Sequence, residues 1–154
     1  MNILNPLFSG IGKETARALS RLGAKVIIGS RNVEKSKKVA QEIQEETGSK
    51  VIALELDLAS FESVQKFAHE ILSNHCGDAI HILINNAGVM FIPEEKTKDG
   101  NEKTIQVNHL GHFLLTKLLM PKLLNAKPAR IINVSSLAHT WSKLPLVFFF
   151  YFFI

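Results

Sequence analysis

The 154 residues amount to one domain at the usual ~150 residues per domain, and a globule of that size buries roughly 68–70% of its unfolded surface, enough for a true core. Hydrophobic residues at 46% and charged residues at 21% exclude a disordered or low-complexity chain, and the single cysteine, Cys76, excludes a disulfide framework and a Cys-rich zinc centre. The net charge of +4 is spread without any dense Lys/Arg cluster, which argues against nucleic acid as a partner.

Helix-like and strand-like segments alternate from residue 10 to residue 136. Gly10–Leu22 reads as a helix with Ile11, Ala18, Leu19 and Leu22 on its apolar side, closed by Gly23. Ala24–Gly29 is a short apolar run suited to a buried strand. Val33–Thr47 is a charged amphipathic helix stopped by Gly48, and Val51–Leu56 is a second strand leading to Asp57. Ser60–Ser73 is a helix capped by Ser60. Ile80–Ile84 is a third strand, ending in Asn85-Asn86-Ala87-Gly88. A long helix spans about Asn101–Asn125, with Pro121 expected to kink or end it. Ala129–Val134 is a fourth strand. Such alternation implies βαβ units and a parallel sheet covered on both faces, with ligands bound at the carboxyl ends of its strands.

The segments just after those strands hold the chemistry. Ser9-Gly10-Ile11-Gly12 opens a helix, where glycines let backbone N–H groups approach a pyrophosphate and the helix N-terminus favours negative charge. The next strand ends at Gly29-Ser30-Arg31, with Arg31 nineteen positions beyond Gly12, near the ~20-residue spacing at which a dinucleotide site meets the adenosine ribose. A carboxylate there would hold a free 2′-hydroxyl. Ser30 and Arg31 offer a hydroxyl and a cation instead, which favours the 2′-phosphate of NADP(H).

The chain resembles the short-chain dehydrogenases/reductases, and within them the retinol dehydrogenase-like branch. The likeness rests on Gly10-Ile11-Gly12-Lys13-Glu14-Thr15-Ala16, Asp57-Leu58, Asn85-Asn86-Ala87-Gly88-Val89-Met90, Val107-Asn108-His109-Leu110-Gly111-His112-Phe113 and Ala129–Ser136, and covers about residues 9–143. It implies a Rossmann-like doubly wound parallel sheet of the α/β class, with residues 1–143 forming a partial NADP-binding domain and 144–154 an apolar Phe-rich tail. It also implies that Gly10, Ile11 and Gly12 hold the pyrophosphate, Arg31 the 2′-phosphate, and Asp57 the adenine amino group with Leu58 beside it. Asn86, Ala87 and Gly88 would line the ribose-side strand end. Asn108 would hold a relay water, and Ser136 would hydrogen-bond the reacting carbonyl. The implied reaction is hydride transfer between NADP(H) and a lipophilic alcohol or carbonyl such as retinol or retinal.

The sequence departs from that pattern at both ends. Asn5-Pro6 stand where the family has Thr-Gly after its first strand, so that strand is expected to be missing, unless Met1–Leu4 replaces it, along with the family's C-terminal part. The family's proton donor is a Tyr four residues before a Lys; the sole tyrosine here, Tyr151, has no such partner. The alternative reading is therefore a non-catalytic remnant that binds nucleotide or pairs with a full-length subunit. Leu144–Ile154 is uncharged and contains five of the ten phenylalanines; it is shorter than the ~20 apolar residues a membrane helix needs. Met1–Phe8 lacks the features of a signal peptide. The expected location is cytoplasmic, with the tail as the segment that would touch a membrane surface or another copy. His109 and His112, three apart on a helix, have no third ligand spaced to make a metal site.

Overall fold

The computed structural model describes residues 2–5, 10–75, 79–137 and 140. The Phe-rich tail, Tyr151, Pro6 and Cys76 lie outside the described residues. In chain order the elements are β1 (Asn2–Asn5), α1 (Ile11–Arg21), β2 (Val26–Ser30), α2 (Val33–Thr47), β3 (Val51–Glu55), α3 (Phe61–Glu70) running into a π turn (Ile71–His75), β4 (Ile82–Asn85), α4 (Lys103–Ile105), a second π turn (Gln106–Leu110), α5 (Gly111–Leu124) and β5 (Arg130–Asn133). The strands form one sheet in the order β3-β2-β1-β4-β5, and each neighbouring pair is parallel. All five carboxyl ends therefore share one rim.

The expectation of a missing first strand is corrected. β1 lies at the centre, with Asn2 opposite both Val26 of β2 and Ile82 of β4. Four residues suffice because neighbouring strands offer ladder partners on both edges. β4 in turn pairs with β5, whose residues are all exposed, so β5 forms one boundary of the sheet and β3 the other.

Alternation along β2 divides the core. Ile27 joins Leu83, Phe67, Leu115 and Leu119 beneath α3 and α5, while Val26 and Ile28 join Ala16, Ala40, Ile43 and Ile84 beneath α1 and α2. At Gly29 an added Cβ would lie 2.7 Å from the Phe67 ring, so glycine admits the largest fully buried side chain. α1 faces the sheet with Gly12, Ala16 and Ser20, four residues apart. The apolar side expected from its sequence is wrong: Ile11 and Leu22 are exposed. Small residues take the inner face because they let the helix approach closely. On the outer surface Arg17 reaches Glu14, Glu42 and Glu46 together, tying α1 to α2.

The long helix expected over Asn101–Asn125 is three pieces, α4, a π turn and α5, and α5 continues through Pro121 to Leu124. Pro121 lies within the last turn of α5, where its missing N–H leaves the rest of the helix intact.

Candidate functional site

Gly10 caps α1 with φ 82°, a left-handed backbone that glycine adopts without steric penalty, and an added Cβ would meet nothing within 4 Å. Among the described residues no side chain caps this end. The first intrahelical bond runs from Glu14 N–H to the Gly10 carbonyl at 3.3 Å, so Ile11, Gly12 and Lys13 bring N–H groups without intrahelical acceptors. Free N–H groups at a helix N-terminus suit an anion, and Gly10 adds no side chain beside them.

The second strand ends differently from the sequence expectation. Ser30 is buried, and its hydroxyl sits 2.5 Å from the Ser36 hydroxyl and 3.3 Å from the Asn32 carbonyl, facing inward instead of toward a ribose. Arg31 is exposed and forms no ion pair with a described residue. Asp57 accepts the Ala59 N–H at 2.9 Å through Oδ1, and its own N–H is held by Ser63 Oγ at 2.9 Å. The turn is fixed while the second carboxylate oxygen stays available. Leu58 is buried against Gly111, where a Cβ would stand 2.8 Å from the Leu58 carbonyl oxygen.

At the end of β4, Asn108 grips Val89 on both backbone groups: Oδ1 accepts its N–H at 2.7 Å and Nδ2 donates to its carbonyl at 2.8 Å. Asn108 Oδ1 also lies where a Cβ on Gly88 would come within 3.5 Å. The Asn108 amide is thus committed to the chain itself. It sits in the π turn, where Gly111 N–H bonds the Gln106 carbonyl five residues back. His112 Nε2 lies 2.8 Å from the Ala87 carbonyl; burial pushes its imidazole pKa down, the Ala87 bond opposes this, and His109 adds to it. Neutral imidazole carries one N–H, and with a carbonyl as partner that N–H is on Nε2. His109 stacks on Phe113, and no group of three or more potential metal ligands occurs among the described residues.

Ser136 stands three residues past β5, exposed on the same rim; Val134 N–H bonds the Asn85 carbonyl at 2.9 Å and carries the ladder that far. The structure therefore brings Asn86, Ala87, Gly88 and Asn108 into one cluster, with the Gly10–Gly12 turn, Arg31, Asp57, Leu58 and Ser136 following other strand ends along the rim. A cleft of about 620 Å³ beside Asp57 runs along α3, lined by Glu55, Glu62, Lys66, Lys98 and Lys103, and touches none of the other candidates.

Sequence reasoning missed the polar supports of this rim. Gln106 is fully buried; its Nε2 donates to Asp99 Oδ2 at 2.5 Å, and its Oε1 accepts from Thr97 Oγ1 at 2.5 Å and Asn101 Nδ2 at 3.0 Å. Asp99 also accepts the Phe61 N–H at 2.9 Å, which fastens the π turn to the start of α3. A glutamine on the inner side of a helix was the available signal.

A family model described as short chain dehydrogenase matches residues 7–144. Human retinol dehydrogenase 11 is 53% identical over 137 residues, covering 88% of this chain and 42% of that protein. Human retinol dehydrogenase 12 is 50% identical over 138 residues, covering 89% and 43%. A metagenomic short-chain oxidoreductase solved in complex with NADP is 32% identical at TM-score 0.77, covering 90% of this chain and 62% of that one. The short-chain dehydrogenase of Sphingobium yanoikuyae, solved with NADPH, is 26% identical at TM-score 0.75, covering 90% and 54%. The chain spans less than half the length of the two retinol dehydrogenases. Matched along nearly all its length in both sequence and fold, it belongs to the short-chain dehydrogenase family.

Proposed function

We propose that this chain is the nucleotide-binding part of an oxidoreductase that transfers a hydride between NADP(H) and a lipophilic alcohol or carbonyl of the retinol/retinal type. The observation that carries the cofactor half is the rim itself: a helix end behind Gly10 that no described side chain caps, an exposed Arg31 with no carboxylate at positions 30 or 31, and Asn86–Gly88 at a further strand end. The N–H groups of Ile11, Gly12 and Lys13 would bind the pyrophosphate, and the Arg31 guanidinium the 2′-phosphate. Asp57 would accept from the adenine amino group, with Leu58 as the apolar wall beside it. Asn86, Ala87 and Gly88 would orient the ribose. Bound nicotinamide supplies or takes the hydride. Ser136 would donate a hydrogen bond to the reacting oxygen, and a relay water at Asn108 would be held by main-chain groups of the π turn, since the side chain is occupied by Val89. The lipophilic substrate is suggested by the names of the retinol dehydrogenases to which the chain is similar.

A second reading is favoured by one feature of the sequence: Tyr-x-x-x-Lys is absent from the 154 residues. On that reading the chain binds NADP(H), or a full-length subunit, without turning over.

Parallel titrations with NADPH and NADH test the cofactor assignment. NADPH is expected to bind more tightly, and Arg31→Asp to reverse the order. Equal affinities in both proteins would overturn the assignment.

A further inference from the structure

Three side chains on the helical stretch that ends in α5 meet Asn85, the last residue of β4, and Ala87 and Val89 in the segment that follows it. Asn108 holds the Val89 N–H and carbonyl, His112 Nε2 sits 2.8 Å from the Ala87 carbonyl, and Thr116 Oγ1 accepts from Asn85 Nδ2 at 3.1 Å. The helix partners are four residues apart and the strand partners two, in opposite order. Four helical residues advance about 6 Å, and two extended residues advance about 6.6 Å. These spacings are of similar size, so three polar rungs form between the π turn with α5 and the end of β4 with the segment that leaves it.

The middle rung differs from its neighbours. Asn108 is exposed and Thr116 holds a side chain, whereas His112 is 6% exposed and holds a backbone carbonyl in the turn that leaves β4. That peptide belongs to Asn86–Gly88. An amide plane is fixed when its carbonyl is fixed, so the His112 bond sets where the Gly88 N–H points as well as the Ala87 oxygen. A leucine of similar volume would fill the space and leave the carbonyl without its side-chain donor.

We propose that His112 is a positioning residue for the nucleotide site: its imidazole N–H, donated to the Ala87 carbonyl, orients the Asn86–Gly88 peptide groups on which NADP(H) affinity depends. The inference rests on the reading that Asn86–Gly88 lines the cofactor site.

The test uses the full 154-residue chain, with His112→Leu and His112→Gln, and reads NADPH affinity by fluorescence titration together with amide hydrogen exchange. Glutamine carries an amide N–H near the position of Nε2. His112→Leu should weaken NADPH about tenfold, the loss expected from one hydrogen bond, and speed exchange at residues 87–89 while β2 and β3 stay protected. His112→Gln should restore both within about threefold. If His112→Leu does not fold, His112→Asn takes its place; its shorter amide cannot span to Ala87, and it must bind more weakly than His112→Gln. NADPH bound normally by the leucine variant would overturn the proposal, as would glutamine and leucine variants that are equally impaired. A wild-type chain with no NADPH affinity overturns the cofactor reading and this proposal together, whereas normal wild-type affinity with an indifferent leucine variant overturns this proposal alone.

Discussion

Asn85 Nδ2 donates to Asn133 Oδ1 at 2.8 Å across the β4–β5 boundary, while Asn85 Oδ1 is buried with no hydrogen-bond partner among the described residues. The two residues stand opposite each other in the parallel register, so the bond joins side chains on one face of the sheet. The same Nδ2 reaches Thr116 of α5, and one amide thereby ties two strands to a helix.

Asn85→Ala should therefore cost more than one neutral hydrogen bond. It removes two donations and leaves the Thr116 and Asn133 oxygens to find other donors, a loss of about 2 kcal/mol. Thr116→Val alone should cost about 1 kcal/mol, and the double variant less than the two single losses combined. Urea unfolding of the wild type and the three variants measures this. Strict additivity would show that the bonds do not form a unit.

Close backbone approach makes a second prediction. Gly111→Ala places a Cβ 2.8 Å from the Leu58 carbonyl oxygen, and backbone on the opposing side cannot move aside as a flexible side chain does. An overpacking loss of about 1–3 kcal/mol is expected. Because Leu58 adjoins Asp57, the same change should also weaken NADPH, if Asp57 contacts the adenine. A Gly111→Ala protein with unchanged unfolding midpoint would refute the tight approach.

Much of this architecture was legible in the sequence, and the misses have physical causes. α2 runs over Val33–Thr47 as expected, because Gly48 stops it in the left-handed conformation at φ 71°, and Ser60 caps α3 by accepting the Ser63 N–H at 3.1 Å. Hydrophobic periodicity failed on α1, since Gly12, Ala16 and Ser20 carry little apolar weight and yet form the buried face. It also passed over the π turn, because one widened turn leaves the surrounding helical pattern nearly intact. Motif reading singled out Asn86–Gly88 and Asn108, which the structure brings together. It did not reveal that the Asn108 amide holds Val89, or that Ser30 turns inward to Ser36, since both depend on which segments the fold brings together.

Protonation of His112 gives stability a defined dependence on pH. Its folded pKa lies below the ordinary value of about 6.5, chiefly because burial disfavours the cation. Between the lowered pKa and ~6.5 the unfolded chain binds the extra proton, so stability rises with pH across that window. The contribution is complete above ~6.5, declines as pH falls through the window and levels off beneath the folded pKa. Unfolding free energies at pH 7.5 and 5.5 should differ more in wild type than in His112→Gln, whose amide does not titrate. Equal differences in the two proteins would rule His112 out as the source.

Catalysis makes the last prediction. The 154-residue chain should not turn over retinol or retinal with saturating NADP(H). Ser136 can donate a hydrogen bond to a reacting oxygen, but a serine hydroxyl does not ionise near neutrality, so it is a poor proton donor, and acid–base assistance commonly contributes 10²–10⁴-fold. Positioning of the substrate adds a further requirement that can exceed the acid–base term. The measurement compares this chain with one whose residues after 143 are replaced by a family-like segment carrying Tyr-x-x-x-Lys, and whose Asn5-Pro6 become Thr-Gly. Activity confined to the restored chain, and lost again with Ser136→Ala, supports the assignment of Ser136 to the reacting oxygen. Turnover by the unmodified chain that survives Ser136→Ala would overturn it, because the serine would then take no part at the reacting oxygen.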